Sequence, residues 1–438
     1  MNNTNDIKEK ILQQFNTSPY PRIPLERSPE NDTHLLHIHN LTTAYYLRNQ
    51  KVIDTEGKLI LDAGCGTGYK SLVLATANPG AKIIGVDISD KSIELARYRL
   101  QHHGFNNTQF HVLSLEELPQ LGLEFDYINC DDVLYLLPDP SAGLQAMKSV
   151  LKPDGIIRAN LHSSLTRVDM YNAQKVFKLM GLMDSNPEAL EIELARDTMK
   201  ALKDQVRLKA LTWNSQMETE DERILMNYLF QGDKGYTVPE MFSFIRPADL
   251  EFISMVNWRQ WNLRDLFKEP NNLPAFLELA LPEITTEEWL HLYELFNPIH
   301  RLLDFWCGHP QQGRNFIPVA EWMLSNWQQA QVHIVPQLRT PKIKVDLIES
   351  IKQLKQFEID KHLTLSDNSL IIENTTAACL LPLWEEGQPM KSLVERWQKL
   401  KPVDPLTLEP TTAEAAWQVL IESLTALESL GYLLLEQH

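Results

Sequence analysis

The 438-residue sequence has few cysteines, a deficit of basic residues and no long apolar run. Its four cysteines are far apart and form no CxxC pair, which argues against a disulfide framework or a zinc site, so no metal is expected. Lysine and arginine number 41 against 58 aspartate and glutamate residues, and the resulting charge of −17 disfavours broad contact with nucleic acid or anionic lipid. No segment resembles a secretory leader or approaches the roughly 18 apolar residues that span a membrane. We therefore expect a cytoplasmic protein without nucleic-acid or membrane partners.

Three closely spaced glycines are the most informative feature that is present. The stretch LILDAGCGTGYKS, residues 59–71, predicts a strand, a tight turn and the start of a helix. Helix and strand patterns then alternate as far as residue 162, which predicts a parallel α/β sheet covered by helices on both faces. Ligands bind at the carboxyl ends of such strands, where Asp87 in GVDIS is placed to meet a ribose. A dinucleotide site is disfavoured because Tyr69 stands where the third glycine of GxGxxG belongs.

Together these motifs resemble the class I S-adenosylmethionine-dependent methyltransferases. The resemblance covers about residues 55–162 and rests on LDAGCGTG, GVDIS and FDYINCDDVLYLLPDP in that order. It implies a Rossmann-like sheet of seven strands, S-adenosyl-L-methionine as cofactor and a methyltransferase activity.

The resemblance also implies which residues bind the cofactor. Asp62 would orient the methionine amino group, Asp87 would bind the ribose hydroxyls, and Ile88 would lie against adenine. Asp131 would border the reacting methyl group. The full predicted set is Asp62, Gly64, Cys65, Gly66, Gly68, Asp87, Ile88, Ser114, Leu115, Glu116, Cys130 and Asp131.

Three residues near the expected methyl group are catalytic candidates. His162 and Tyr135 leave the fifth and fourth predicted strands at the reacting side, next to Asp131. A base is useful only where the nucleophile arrives protonated. The methylated atom stays open, because CDDVLY replaces the NPPY or DPPY signature that would indicate an amide or exocyclic amine nitrogen.

The remainder of the chain departs from a minimal methyltransferase. Helical patterning predicts two insertions, at 163–235 and 257–328, that fold over the cofactor as a cap. The sixth strand of the core is predicted within residues 236–256, between the insertions, and the seventh within residues 329–340, after them.

Two further units flank this core. Residues 1–54 are predicted to form a proline-containing arm followed by a helix. Residues 341–438 are predicted to form a separate α+β unit that resembles winged-helix or PqqD-like peptide-recognition modules. A homodimerisation or lid-supporting role is the alternative for this unit. A fragment ending near residue 342 is accordingly expected to fold.

Aromatic and histidine side chains of the arm and cap are candidates for a substrate pocket, with burial in the core as the alternative for each: Tyr20, His37, Tyr46, Trp258 and Trp261. We predict methyl transfer to a nitrogen or oxygen of a protein or peptide side chain. The alternatives are a small-molecule methyltransferase with a closed cap and a non-catalytic cofactor-binding scaffold. An open or a closed cap would distinguish the two substrates.

Overall fold

One large mixed sheet forms the centre of the protein in its computed structural model, which describes residues 12, 13, 16, 19–365, 370–404 and 407–437. Its strands are β1 (Leu59–Ala63), β2 (Lys82–Asp87), β3 (Thr108–Val112), β4 (Phe125–Cys130), β5 (Leu151–Ser163), β6 (Gly235–Tyr236), β7 (Glu251–Met255) and β8 (Leu302–Gly308). They lie in the order β3-β2-β1-β4-β5-β8-β7, and the short β6 pairs with the end of β5. Strands β1 to β5 are parallel, whereas β8 runs antiparallel to β5 and β7. The predicted Rossmann-like α/β fold is confirmed.

The inner strands are apolar on both faces, which explains why helices cover the sheet on both sides. Leu61, Ile84 and Ile128 are fully buried, as expected for parallel strands between two helical layers. The first helices are α1 (Thr33–Ile38), α2 (Leu41–Asn49), α3 (Tyr69–Ala77), α4 (Asp90–His102) and α5 (Pro140–Lys148). Because β1, β2 and β4 run parallel, their carboxyl ends meet at one edge of the sheet.

The first insertion is helical, as predicted, and has a small core of its own around Phe177 and Tyr228. Its helices are α6 (Val168–Leu179), α7 (Ala189–Ala201), α8 (Arg207–Thr212), α9 (Ser215–Thr219) and α10 (Asp221–Tyr228). The chain then returns to the sheet through β6, α11 (Val238–Ile245) and β7, so the sixth strand lies where it was predicted. Within the described residues, no helix is long and apolar enough to cross a membrane.

The predicted position of the seventh strand is wrong. The strand that occupies this place is β8, which pairs with residues 156–162 of β5 and lies inside the segment predicted to be helical cap. Two helices, α12 (Ala275–Ala280) and α13 (Thr286–Phe296), precede it. Most of β8 is buried, and a short buried strand shows no alternation that distinguishes it from a buried helix.

The predicted seventh strand belongs instead to a second sheet. Following α14 (Leu324–Gln328), the stretch QVHI forms most of β9 (Ala330–Ile334), which lies between two strands from the carboxyl-terminal part of the chain. The other elements of this part are α15 (Pro341–Lys352), β10 (Phe357–Glu358), β11 (Ile371–Ile372), α16 (Asn374–Leu380), β12 (Gln388–Pro389), α17 (Met390–Leu400), α18 (Ala413–Ser429) and β13 (Leu433–Gln437). The sheet order is β12-β9-β13. The hydrophobic core of this sheet includes Val319 and Trp327, which precede the predicted boundary.

A fragment that ends at residue 342 was expected to fold, but the second sheet makes this unfavourable. Such a fragment would keep β9 but lose both neighbouring strands, so Val332 and Ile334 would lose their cover. A fragment ending at residue 318 keeps β8 and, apart from Tyr46, contains none of the buried residues of this second core. We expect the shorter fragment to give the higher soluble yield and the sharper thermal transition. A higher yield of the longer fragment would contradict this domain boundary.

Candidate functional site

The loop that follows β1 depends on glycine for close packing. Gly64, Gly66 and Gly68 have positive φ angles of 82°, 49° and 82°, a backbone region that other residues rarely adopt. A Cβ at Gly66 would lie 2.3 Å from the carbonyl oxygen of Tyr20. A Cβ at Gly68 would lie 2.6 Å from the Cα of Ala96 in α4. Glycine therefore lets the amino-terminal arm approach the loop and lets the start of α3 lie against α4.

Asp87 ends β2 and faces this loop. Its Oδ2 accepts a hydrogen bond from the N–H of Gly66 at 3.0 Å, and its Oδ1 accepts one from the N–H of Ser89 at 2.9 Å. Burial raises the pKa of Asp87 above that of an ordinary aspartate, although the backbone hydrogen bonds act in the opposite direction. These contacts fix the carboxylate at the edge of the sheet.

A cavity of about 390 Å³ lies between the glycine loop and the segments that follow β2, β3 and β4. Small-molecule sites usually measure roughly 300–1,000 Å³. The predicted cofactor residues that line the cavity are Gly64, Cys65, Gly66, Asp87, Ile88, Ser114, Leu115, Glu116 and Asp131. The structure therefore brings together most of the residues that the sequence motifs indicated.

Three predicted cofactor residues do not line the cavity. Asp62 is buried, and its two oxygens accept hydrogen bonds from Ser71 at 2.6 Å and Asn129 at 2.9 Å. Cys130 is fully buried in the hydrophobic core, and Gly68 packs against α4. Asp62 thus connects β1 to α3 and β4 and is not among the residues that line the cavity.

The amino-terminal arm closes one side of the cavity. Tyr20, Pro21 and Ile23 line it. The carbonyl oxygens of Tyr20 and Pro21 accept hydrogen bonds from the N–H and hydroxyl groups of Thr67, at 3.1 and 2.7 Å. Farther along the arm, the guanidinium of Arg99 donates to the carbonyl oxygens of Ile23 and Pro24, at 2.7 and 2.9 Å. The arm is thus tied to α4 and to the glycine loop.

Replacing Arg99 by glutamine is expected to weaken ligand binding in this cavity. The buried guanidinium of Arg99 also donates to the carbonyl oxygen of Thr67 at 3.0 Å. Its replacement therefore removes the hydrogen bonds that connect the arm and the glycine loop to α4. A hydrogen bond to a charged group contributes about 1.5–3 kcal/mol, and loss of one corresponds to a roughly ten- to hundredfold weaker affinity for S-adenosylhomocysteine. Arg97→Gln is the matched control, because Arg97 donates to Phe110 on β3 rather than to the arm. Equal affinities in calorimetric titrations of the two variants would contradict this role of the arm.

Asp131, which follows β4, is surrounded by positive charge and hydrogen-bond donors. Its carboxylate lies 2.6 Å from the ammonium of Lys70 and 3.4 Å from the guanidinium of Arg158, and accepts a hydrogen bond from Asn160 at 2.5 Å. Burial opposes ionisation, but Lys70 and Arg158 hold the pKa of Asp131 well below its usual range. Since Lys70 and Asp131 both line the cavity, a fixed pair of opposite charges faces its interior.

His162 and Tyr135 lie together but are not among the residues that line the cavity. Their rings stack with centroids 3.8 Å apart, and each residue is only 3% exposed. The Nδ1 of His162 lies 2.7 Å from Asp233, and its Nε2 lies 3.0 Å from a guanidinium nitrogen of Arg301. Because arginine can only donate, Nε2 accepts, and the Nδ1–H donates to Asp233. An imidazole whose Nε2 accepts is neutral, and burial, which lowers the pKa of His162, favours this form although Asp233 acts in the opposite direction.

Asp132 separates this buried pair from the cavity. It lines the cavity and has a φ angle of +58°. Its Oδ1 lies 3.7 Å from Arg301 and 3.9 Å from the Nε2 of His162. This oxygen has no hydrogen-bond partner among the described residues.

Most of the predicted substrate-pocket residues lie elsewhere. Of this group, Tyr20 lines the cavity. The Tyr46 hydroxyl donates to Glu428 at 2.8 Å, in the contact between α2 and the carboxyl-terminal part of the chain. His37 is buried with its ring 6.3 Å from that of Trp258. Trp258 and Trp261 line a second cavity of about 570 Å³ between β7, α13 and the end of α18.

Sequence reasoning missed four polar residues of this region. Lys70 and Asp132 lie within two residues of the predicted Gly68 and Asp131, so their positions in the chain were a usable signal. Asp233 and Arg301 gave no such signal, because Asp233 lies near the end of the first insertion and Arg301 directly before β8. Only the pairing of β6 and β8 with β5 brings them to His162.

Comparisons with known proteins agree with this geometry. Residues 54–238 match the family described as "Methyltransferase domain". An uncharacterized protein of Synechococcus sp. is 27% identical over 299 residues, which are 65% of this chain and 71% of that protein. The ubiquinone biosynthesis O-methyltransferase of Aromatoleum aromaticum is 32% identical over 166 residues, which are 36% of this chain and 69% of that enzyme.

A solved structure shares most of the architecture. PKMT2 from Rickettsia typhi in complex with AdoHcy has a TM-score of 0.60 and 17% sequence identity, covering 96% of this chain and 77% of its own. At this identity the likeness is one of fold. The matched domain, the curated relatives and the shared fold confirm that the protein is an enzyme that uses S-adenosyl-L-methionine. The chain belongs to the class I S-adenosylmethionine-dependent methyltransferases.

Proposed function

We propose that the enzyme transfers a methyl group to a nitrogen or oxygen atom on a side chain of a protein or peptide. One observation carries this proposal: in the described part of the chain, the residues that line the cavity all come from the arm and from the core as far as Pro138. Neither insertion contributes a lining residue. A closed helical cap, as a small metabolite would favour, is therefore not built around this cavity.

The residues around the cavity fit the cofactor. The carboxylate of Asp87 has lone pairs beyond the two that accept backbone hydrogen bonds, and these would bind the ribose hydroxyls. Ile88 and Leu115 would flank adenine. Lys70 and Asp131 would match the carboxylate and ammonium groups of the methionine end. When bound, S-adenosyl-L-methionine supplies an activated methyl group.

The protein's own part in the reaction is to place the nucleophile and exclude water. The nucleophile must lie about 3 Å from the methyl carbon, in line with the bond that breaks. The arm covers the cavity through Tyr20, Pro21 and Ile23, and limits access of water from that side. A side chain on a larger substrate would enter the cavity on a side that the insertions leave unlined.

A second candidate is methyl transfer to an oxygen of a small molecule. It is favoured by the 32% identity with the ubiquinone biosynthesis O-methyltransferase of Aromatoleum aromaticum. That similarity covers 36% of this chain, so it bears on the common core more than on the insertions.

Radiolabelled S-adenosyl-L-methionine separates the two candidates. The full-length enzyme is incubated with an extract of its own cells that has been divided into protein and small-molecule fractions. Protease-sensitive label in the protein fraction is expected. Label confined to the small-molecule fraction would overturn the proposal and favour the second candidate. An Asp87→Ala variant, expected to bind the cofactor poorly, gives the background in both fractions.

A further inference from the structure

We propose that Asp132 is the catalytic residue that receives the nucleophile: its carboxylate accepts first the hydrogen bond and then the proton of the N–H or O–H group to be methylated. Arg301 and His162 are positioning residues that hold this carboxylate in place. The inference rests on the proposed function for the type of nucleophile, but it holds equally for a protein and for a small-molecule substrate.

Two adjacent carboxylates at the end of β4 differ in their availability. Asp131 is occupied by Lys70, Arg158 and Asn160 at distances of 2.5–3.4 Å. Asp132 also lines the cavity, yet its Oδ1 has no hydrogen-bond partner among the described residues. That oxygen is buried beside Arg301 and His162, at 3.7 and 3.9 Å, but the Asp132 side chain as a whole is 22% exposed, against 3% for Asp131. The free acceptor at this end of the cavity is therefore Asp132.

The backbone shows how the two carboxylates are separated. Asn160 on β5 donates to Asp131 through Nδ2 and accepts the N–H of Asp132 at 2.9 Å through Oδ1. Between them the chain takes the left-handed conformation at Asp132, with φ +58°, which is uncommon for a residue other than glycine. Strained backbone of this kind clusters at functional sites.

On the side of Asp132 that faces away from the cavity, a series of polar contacts runs from Asp233 through His162 and Arg301 to its carboxylate. Asp233 is held by Arg167 and Gln174 at 2.6 and 2.9 Å and accepts from His162. His162 in turn accepts from Arg301, whose guanidinium faces Asp132. Because the Nε2 lone pair of His162 is already used by Arg301, the imidazole is not available as the base. It acts on the reaction through Arg301.

The proposed step balances without any further reactant. The proton of the N–H or O–H group moves to the carboxylate of Asp132, while the electron pair of the broken N–H or O–H bond stays on nitrogen or oxygen and forms the new bond to carbon. The carbon–sulfur bond of the donor breaks, and its electron pair remains on sulfur.

Asp132→Asn tests the proposal, because asparagine tolerates the left-handed backbone and keeps the shape but loses the proton acceptor. Formation of S-adenosylhomocysteine is measured with whichever extract fraction takes label from the wild-type enzyme. A loss of about a hundredfold or more is expected, with affinity for S-adenosylhomocysteine and the thermal midpoint nearly unchanged. Asp139→Asn is the control, since exposed Asp139 caps α5 and asparagine caps equally well. A rate within about threefold of wild type would overturn the proposal.

A double variant separates a positioning role of His162 from a role as the base. If His162 acts through Asp132, His162→Gln lowers the rate of the wild-type enzyme but adds little in the Asp132→Asn background. If His162 is the base, it lowers the rate strongly in both backgrounds, and the proposal fails. Label found only in small molecules would refute the proposed substrate while leaving this comparison intact.

Discussion

Replacing Arg158 by methionine is expected to destabilise the fold by about 3–5 kcal/mol, the usual cost of removing one partner from a buried ion pair. Arg158 lies on β5, and its side chain is 2% exposed. Its guanidinium lies 2.6 Å from Asp304 and 3.4 Å from Asp131. It also donates to Asn129 at 2.9 Å. The variant leaves two buried carboxylates without this charge, and chemical denaturation at pH 8 measures the loss.

The pH dependence distinguishes lost charge compensation from lost packing. Burial raises the pKa of Asp304 to about 6 even though Arg158 acts in the opposite direction. Without Arg158, the pKa of Asp304 in the folded state rises further above its value in the unfolded chain. Protonation then favours the folded state as pH falls, so the stability deficit of the variant should shrink between pH 8 and pH 5.

Lys152→Met provides the matched control for Arg158→Met. Lys152 is on the same strand and pairs with Asp126 at 2.7 Å, but its side chain is 37% exposed. Its loss should cost no more than about 1 kcal/mol. A similarly small cost for Arg158→Met at pH 8, or a deficit that does not change with pH, would contradict the proposed compensation.

Local patterns in the sequence were sufficient to predict the first five strands and the cofactor loop. The glycine spacing, Asp87 and the segment after β4 lie within a short part of the chain, and each follows a strand with a strong apolar signal. Most of these residues line the cavity because parallel strands bring their carboxyl ends to one edge. Asp62 shows the limit of this reasoning, because the sequence does not distinguish an aspartate that faces the cavity from one that is buried against neighbouring elements.

Long-range pairing could not be predicted from these patterns. Strand β8 is buried by β5 and β7, and its sequence is compatible with either a helix or a strand. Arg158 carries no local signal of burial, because its partners Asp304 and His39 come from distant segments. The same holds for Arg301 and Asp233, which reach His162 only once the insertions are in place. Positions that depend on tertiary contacts were therefore the ones missed.

The Asp87→Ala variant is expected to bind S-adenosylhomocysteine more weakly than the wild-type protein, by roughly ten- to several-hundred-fold or more. One or two hydrogen bonds from ligand hydroxyls to a carboxylate would be lost, each contributing about 1.5–3 kcal/mol. The loop would also lose the acceptor that holds the N–H of Gly66. Asp90→Ala is the matched control, because Asp90 is a nearby exposed aspartate at the start of α4.

The charge of Asp87 gives this prediction a second readout. The ionised carboxylate is the better acceptor, and burial raises the pKa of Asp87. The affinity of the wild-type protein should therefore fall as pH is lowered, beginning above the pH at which an ordinary aspartate titrates. The Asp87→Asn variant should bind weakly and lack this part of the pH dependence, because its amide does not titrate. Calorimetric titrations at several pH values measure both effects. Wild-type affinity in Asp87→Ala, or the same pH dependence in Asp87→Asn, would show that another group binds the ribose.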